Sequence, residues 1–196
     1  TVEKVLFIHV PKAAGSRITN SLRSALIKKS PCPWPVEHGP EDVNLSEGIP
    51  RFCSKYMQSL HLEGRSSKHS SYKLLCLRVE ENNIPINLHE YFSFAFVRNP
   101  WDRMYSYWNF LWQSALEKEV RGMGFNGWIS EIYKRRKEYK PPTLWYEGPF
   151  YPVPQSEFIE GVSFVGRFED LEKDLDYVGR RIGCKITCDH QNSTQR

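Results

Sequence analysis

The chain has 196 residues, 40% hydrophobic, 14% aromatic and 26% charged, with 27 basic against 23 acidic side chains and a net charge of +4. That length suits one domain, expected over residues 1–196, with a substantial core, and the composition excludes a disordered chain. The basic excess is too small to mark a nucleic-acid binder but suits an anionic small ligand in a cleft, and no apolar run is long enough to span a membrane.

Val5–Val10 is a short, continuous apolar run, the pattern of a buried strand. It ends in Pro-Lys-Ala-Ala-Gly-Ser, residues 11–16, and residues 16–29 then carry Ile18, Leu22, Ala25 and Leu26 at helical spacing. A turn of small residues lets backbone N–H groups approach a ligand closely, and a helix start behind it favours anions. The pattern is that of a phosphate cradle. It is not the nucleoside-triphosphate loop G-x-x-x-x-G-K-[ST]. Lys12 comes first, Gly15 is the one glycine, and no Ser or Thr stands directly after the lysine. Such a loop can still hold one phosphate, with Lys12 beside the oxygen bridging it to a leaving group. The alternative is a tight strand–helix turn with an exposed lysine.

Residues 30–50, rich in Pro and Gly, end the helix and form a connection long enough to carry function. Residues 52–63 read as a short helix. Tyr72–Val79 fits either a strand or a helix. Tyr91–Val97 is a second buried strand, followed by Arg98-Asn99-Pro100 and an amphipathic helix over 101–119, where Met104, Trp108, Leu111, Trp112 and Ala115 recur at three and four. Another helix is expected over 125–138, and an aromatic, Pro-rich loop over 141–154. Ser163–Arg167 is a third strand and Glu169–Ile182 a helix, with Leu171, Leu175, Val178 and Ile182 on one face. Three strand-then-helix units predict an α/β protein: a P-loop-like three-layer fold with a central parallel sheet flanked by helices. In such sheets ligands bind outside the carboxyl ends of the strands.

The second strand end carries Arg98, whose planar fork grips a phosphate in two places. Ser106, inside the following helix, adds a hydroxyl donor to the same anion if the loop folds back. Pro100 and Asp102 suit a helix start. Arg103 is read as structural, paired with Asp102 or Glu169. Of the five cysteines, none lies in a CxxC pair or at zinc-site spacing. Cys76 reads as core; Cys184 with Cys188, and Cys32 with Cys53, are candidate bridges. Asn44 and Asn192 head glycosylation triplets. These features lean toward a secretory compartment without excluding a reducing cytoplasm.

Taken in order, P-K-x-x-G-S, F-x-F-V-R-N-P-W-D-R-x-x-S and V-G-R-F-E-D-L-x-x-D resemble the sulfotransferase superfamily, in particular the branch of Golgi carbohydrate sulfotransferases and their bacterial relatives. The resemblance runs from Val5 to about Thr194. It implies transfer of a sulfuryl group from 3′-phosphoadenosine 5′-phosphosulfate (PAPS), released as 3′,5′-ADP, to an acceptor hydroxyl, usually of a sugar, without a metal. By position it implies that Lys12, Ala13, Ala14, Gly15, Ser16 and Arg17 hold the 5′-phosphosulfate. Arg98 and Ser106 would hold the 3′-phosphate. The chain departs from the common Lys-Thr-Gly-Gly-Thr-Ser: Ala13 loses a hydroxyl, Ala14 narrows the backbone freedom and Arg17 adds a charge. The compartment it implies is the Golgi lumen for a eukaryotic chain with an anchor upstream, and otherwise the cytoplasm.

Sulfuryl transfer resembles phosphoryl transfer, with in-line attack and charge growing on the leaving phosphate. Lys12 is placed to neutralise that charge, and the attacking alcohol needs a base. Of the six histidines, His9 reads as structural, His38 and His190 lie in loops with little support, and His89 reads as exposed or a cap. His69 is preferred, because relatives show a histidine in that neighbourhood, with His61 second and Glu37, Glu41 or Glu63 as carboxylate alternatives. Val165-Gly-Arg-Phe-Glu-Asp-Leu171 reads as architecture. Gln155 and the tail from His190 match places where relatives touch nucleotide or acceptor. Trp145, Tyr146, Phe150 and Tyr151 suit either stacking on a sugar or covering the core. Two other functions compete: an ATP-dependent small-molecule kinase, against which Arg98 with Ser106 argues, and a nucleotide-binding protein without turnover, which the altered loop would suit. A nucleic-acid module is not expected, since no basic helix or basic aromatic sheet appears.

Overall fold

The computed structural model describes residues 5–28, 70–81, 83, 87–113, 118–138, 150 and 152–187. In chain order these form β1 (Val5–Ile8), α1 (Gly15–Lys28), α2 (Tyr72–Glu81), a 3-10 turn at Leu88–Glu90, β2 (Phe92–Val97), α3 (Pro100–Gln113) and α4 (Lys118–Arg121). Then come α5 (Phe125–Arg135), a turn at Arg136–Glu138, α6 (Gln155–Ile159), β3 (Phe164–Arg167), a turn at Phe168–Asp170 and α7 (Leu171–Arg181).

The strands form one parallel sheet in the order β1-β2-β3. Phe7 pairs with Phe94 and Ile8 with Ala95, while Ala95 pairs with Val165 and Val97 with Arg167. Successive side chains point to opposite faces of a strand, and here both faces are apolar, as a covered parallel sheet requires. Phe7, Phe92, Phe94 and Phe96 pack against Ile18 and Leu22 of α1 and Leu171, Leu175 and Val178 of α7. Leu6, Ile8 and Ala95 pack on the other side against Tyr72, Leu75 and Val79 of α2 and Phe158 of α6. The result is the expected three-layer α/β arrangement, each large buried side chain contributing about 2 kcal/mol by leaving water. A satellite cluster joins Tyr107 and Leu111 of α3 to Val120, Trp128 and Phe150.

The structure decides one reading left open by the sequence and moves a helix start. The ambiguous segment at 72–79 is the helix α2, because Tyr72, Leu75 and Val79 are buried at helical spacing while Leu77 is exposed. Strand alternation would instead have set Leu77 on one face with Leu75 and Val79. The Ser71 hydroxyl accepts from the Leu74 N–H at 3.2 Å and starts this helix. Helix α3 is described as far as Gln113 and α4 from Lys118; residues 114–117 of the expected 101–119 helix lie outside the described residues. Trp108 Nε1 donates to Met123 O at 3.2 Å and ties α3 to the segment after α4. Helix α7 begins at Leu171, because Phe168–Asp170 forms a tighter turn first.

Cys76 packs at the edge of the core beside Tyr72, and burial pushes its thiol above the usual range. The expected bridges involve Cys188, Cys32 and Cys53, which lie outside the described residues, as do the segments 30–50 and 52–63. Among the described residues, no helix is long and apolar enough to cross a membrane.

Candidate active site

The tips of β1 and β2 are neighbours because the two strands pair directly. After β1 the chain turns through Val10 and Pro11, and the Ala13 N–H donates to Val10 O at 3.3 Å. Lys12 and Ala14 both take left-handed backbone conformations, at φ 62° and 66°. Neither is glycine, so each costs about 1 kcal/mol against an ordinary conformation. Gly15 opens α1. A Cβ at Gly15 would lie 1.7 Å from His9 Nε2, so glycine is what lets the helix start close against the strand. His9 is buried, 5% exposed, with its ring stacked on Phe7 at 5.9 Å. It packs just beyond the end of β1, in keeping with the structural reading expected for it.

The first hydrogen bond of α1 runs from the Ile18 N–H to Ala14 O at 3.0 Å. The N–H groups of the first turn, beginning at Gly15, therefore have no acceptor within the helix. No acidic residue stands in that turn, so nothing there opposes an anion. The Ala13 side chain is buried in the core, Ser16 is exposed and Arg17 is half-buried.

Arg103 fixes the base of this loop. It is 5% exposed; its Nε donates to Pro11 O at 2.9 Å and its Nη1 to Val153 O at 3.0 Å. A structural role was expected for Arg103 through a carboxylate; the backbone carbonyls of two loops are partners of its guanidinium. The carboxylate of Glu169 accepts from the Asn99 N–H at 2.7 Å. Helix α3 starts at Pro100 as expected. The cap is Asn99, whose Oδ1 accepts from the N–H groups of Trp101 (3.0 Å) and Asp102 (3.4 Å).

Lys12 reaches across to α3, its Nζ 4.4 Å from the centre of the Phe110 ring. Ser106, half-buried, stands one turn earlier than Phe110 on the same side of that helix. Lys12 and Ser106 are thus brought to one face of α3. Arg98 turns to the other neighbour: its guanidinium carbon lies 4.4 Å from the centre of the Phe168 ring. Its backbone is held twice by Gln155, which accepts from the Arg98 N–H and donates to Arg98 O, both at 2.8 Å. Gln155, read from sequence as a ligand contact, is thereby engaged with the chain itself.

The preferred base, His69, lies outside the described residues, as do His38, His61, His190, Glu37, Glu41 and Glu63. His89 is exposed and its Nδ1 lies 3.4 Å from the Tyr72 hydroxyl. Phe150 is core cover: it is buried beside Trp128, with the Arg135 guanidinium 4.2 Å from its ring centre. Trp145, Tyr146 and Tyr151 are outside the described residues. Sequence reading missed Phe110, Phe168 and the grip of Arg103 on Pro11. For Phe110 a signal existed in its spacing from Ser106. The others are contacts between distant segments.

The parallel α/β sheet thus carries a small-residue, lysine-bearing turn into a helix at one strand tip and an arginine at the next. The sequence model of the sulfotransferase family matches residues 1–196, and the chain belongs to that family. No curated protein matches the sequence. Among solved structures the chain is similar to a sulfotransferase from Alicyclobacillus acidocaldarius, at 18% identity and a TM-score of 0.46, over 100% of this chain and 87% of that one. The family rests on the whole-length sequence match, and the fold on the sheet itself.

Proposed function

We propose that this sulfotransferase takes its sulfuryl group from PAPS and passes it to an acceptor hydroxyl, that of a carbohydrate. The observation that carries the reading is the pairing of β1 with β2, which makes neighbours of two cationic strand tips. A donor with phosphates at both its 5′ and 3′ positions needs two anion sites side by side. The donor set suits it: a lysine and the first-turn N–H groups of α1 at one tip, an arginine at the other.

In this reading the donor supplies an activated sulfuryl group on its 5′-phosphate. Lys12 neutralises the charge that grows on that phosphate as the bond from sulfur to the bridging oxygen breaks. Backbone donors and Ser16 in the loop from Ala13 to Arg17 orient the phosphosulfate, while Arg98 and Ser106 grip the 3′-phosphate. A base, for which His69 is proposed, takes the acceptor proton as the new sulfur–oxygen bond forms. The left-handed Ala14 supports a loop held in a ligand-ready shape, since such conformations persist where the surroundings over-determine them.

Thermal melting with 3′,5′-ADP, against ATP plus magnesium, tests this. The first should raise the melting temperature, the second should not, and Arg98→Ala should abolish the shift. Stabilisation by ATP and magnesium alone would replace the reading with a kinase. Binding of 3′,5′-ADP with no transfer to any carbohydrate acceptor would leave a nucleotide-binding protein.

A further inference from the structure

The excess of positive charge does not sit at the strand tips. Residues 134–140 hold five basic side chains against one acid, Glu138, an excess equal to the whole net charge of +4. The rest of the chain is balanced. In the fold, Lys134 and Arg135 close α5, and Arg136 and Lys137 stand in the turn that follows. Cations suit a helix C-terminus, and two of these four are engaged there. Arg136 Nη1 donates to Tyr133 O, and its guanidinium lies 3.5 Å from the centre of the Tyr133 ring. Arg135 Nε donates to Glu131 at 2.6 Å, with its guanidinium over Phe150.

Lys134 and Lys137 are surplus to that arrangement. Lys134 lies 3.5 Å from Glu131, a carboxylate that Arg135 already holds, and its side chain is 73% exposed. Lys137 is exposed as well. Residues three apart in a helix or 3-10 turn share a side, so the two ammonium groups form one cationic stripe. A short bridge ties this stripe to the candidate active site. Phe150, beneath Arg135, stands three residues before Val153, a stretch that spans at most about 11 Å. Val153 O accepts from Arg103, whose Nε holds Pro11 O beside Lys12. A chain of several sugars with one hydroxyl at the strand tips is long enough to reach the stripe.

The chemistry around the stripe favours a carbohydrate over other polyanions. Helix α5 gives its apolar side chains, Phe125, Trp128, Ile129 and Ile132, to the cluster with α3, so no apolar face remains to enter a bilayer. One face of the Tyr133 ring is taken by Arg136, and Tyr133 is the one large exposed aromatic of α5, so successive bases find no stacking platform. Lysine ammonium groups are compact point charges that receive carboxylates and sulfates alike. We infer that Lys134 and Lys137 form an acceptor subsite for an acidic carbohydrate, holding its carboxylate or sulfate groups a few sugars away from the hydroxyl that receives the sulfuryl group. This rests on the reading of a carbohydrate acceptor and adds that the acceptor is a polyanion.

The test uses oligosaccharides of alternating uronic acid and N-acetylhexosamine, and the same oligosaccharides with every carboxyl reduced to an alcohol. Titrations compare the parent with the double variant Lys134→Gln, Lys137→Gln, which leaves Arg135 on Glu131 and Phe150. The parent should bind the acidic chain more tightly than the reduced one, by a margin that shrinks as salt is added. The double variant should bind the acidic chain about tenfold more weakly than the parent, and the reduced chain equally well. Its melting-temperature rise with 3′,5′-ADP should match that of the parent. Equal affinity of the parent for the two chains, or a preference that the double variant keeps, would overturn the proposal. So would a double variant that loses binding to duplex DNA or phosphatidylserine vesicles but not to the acidic chain. Sulfate transfer separates this inference from the reading beneath it. A parent that transfers equally well to both chains refutes the acidic subsite alone. A parent that binds the acidic chain yet transfers to no carbohydrate refutes the carbohydrate-acceptor reading, and the acceptor subsite with it.

Discussion

The two strand tips are held in shape by different means. At the tip of β1 the backbone does the holding: Lys12 and Ala14 sit in left-handed conformations, and Gly15 lets the helix start press on His9. At the tip of β2 side chains from elsewhere hold the chain: Gln155 lies 57 residues from Arg98, Glu169 lies 70 from Asn99, and Phe168 seats the guanidinium. The first tip adds local strain to the long-range grip of Arg103 on Pro11, whereas the second depends on long-range contacts without such strain. The first should therefore respond to changes in backbone freedom, and the second to substitutions far away in sequence.

Gly15→Ala should break the first tip with the largest effect. Its new methyl would lie 1.7 Å from the His9 ring, which is itself buried and stacked on Phe7. A loss of about 3 kcal/mol is expected by denaturant unfolding. Full stability would mean that the helix start can retreat from the strand.

Gln155→Ala should loosen the second tip. It removes the partners of the Arg98 N–H and carbonyl at once, at a cost of about 2 kcal/mol, the range for half-buried backbone groups left unsatisfied. Nucleotide titration should also show weaker binding of 3′,5′-ADP than of adenosine 5′-monophosphate relative to the parent. A purely thermal effect, with the preference intact, would mean that the guanidinium keeps its seat without its backbone clamp.

The smallest effect, and the one of opposite sign, belongs to Ala14→Gly. Glycine takes φ 66° without the steric cost that alanine meets there. The gain is partly offset by glycine's greater freedom when unfolded, leaving a stabilisation of about 0.5 kcal/mol. Calorimetry that found a lower melting temperature would show that the left-handed turn is not strained. Gln155→Ala and Ala14→Gly thus move stability in opposite directions, as the contrast between the tips requires.

Much of this was legible in the sequence. The continuous apolar runs around Phe7, Phe94 and Val165 gave three strands, and their helical followers gave a parallel sheet, because strand and helix periodicities are local properties. The small-residue turn before α1 and the strand-end arginine could likewise be read from residue type and order. The short turn before Leu171 could not, since where a helix starts depends on what its first turn packs against.

The sequence by itself determined which residues are cationic, which are small, and on which strand tips they fall. Tertiary structure alone decided that Arg103 grips the loop of Pro11, that Gln155 serves the backbone of Arg98 rather than facing outward, and that Lys12 and Arg98 rest on Phe110 and Phe168. The physical reason is separation along the chain. Propensity and spacing act within a few residues, whereas each of these contacts joins segments that only the sheet register and helix packing bring side by side.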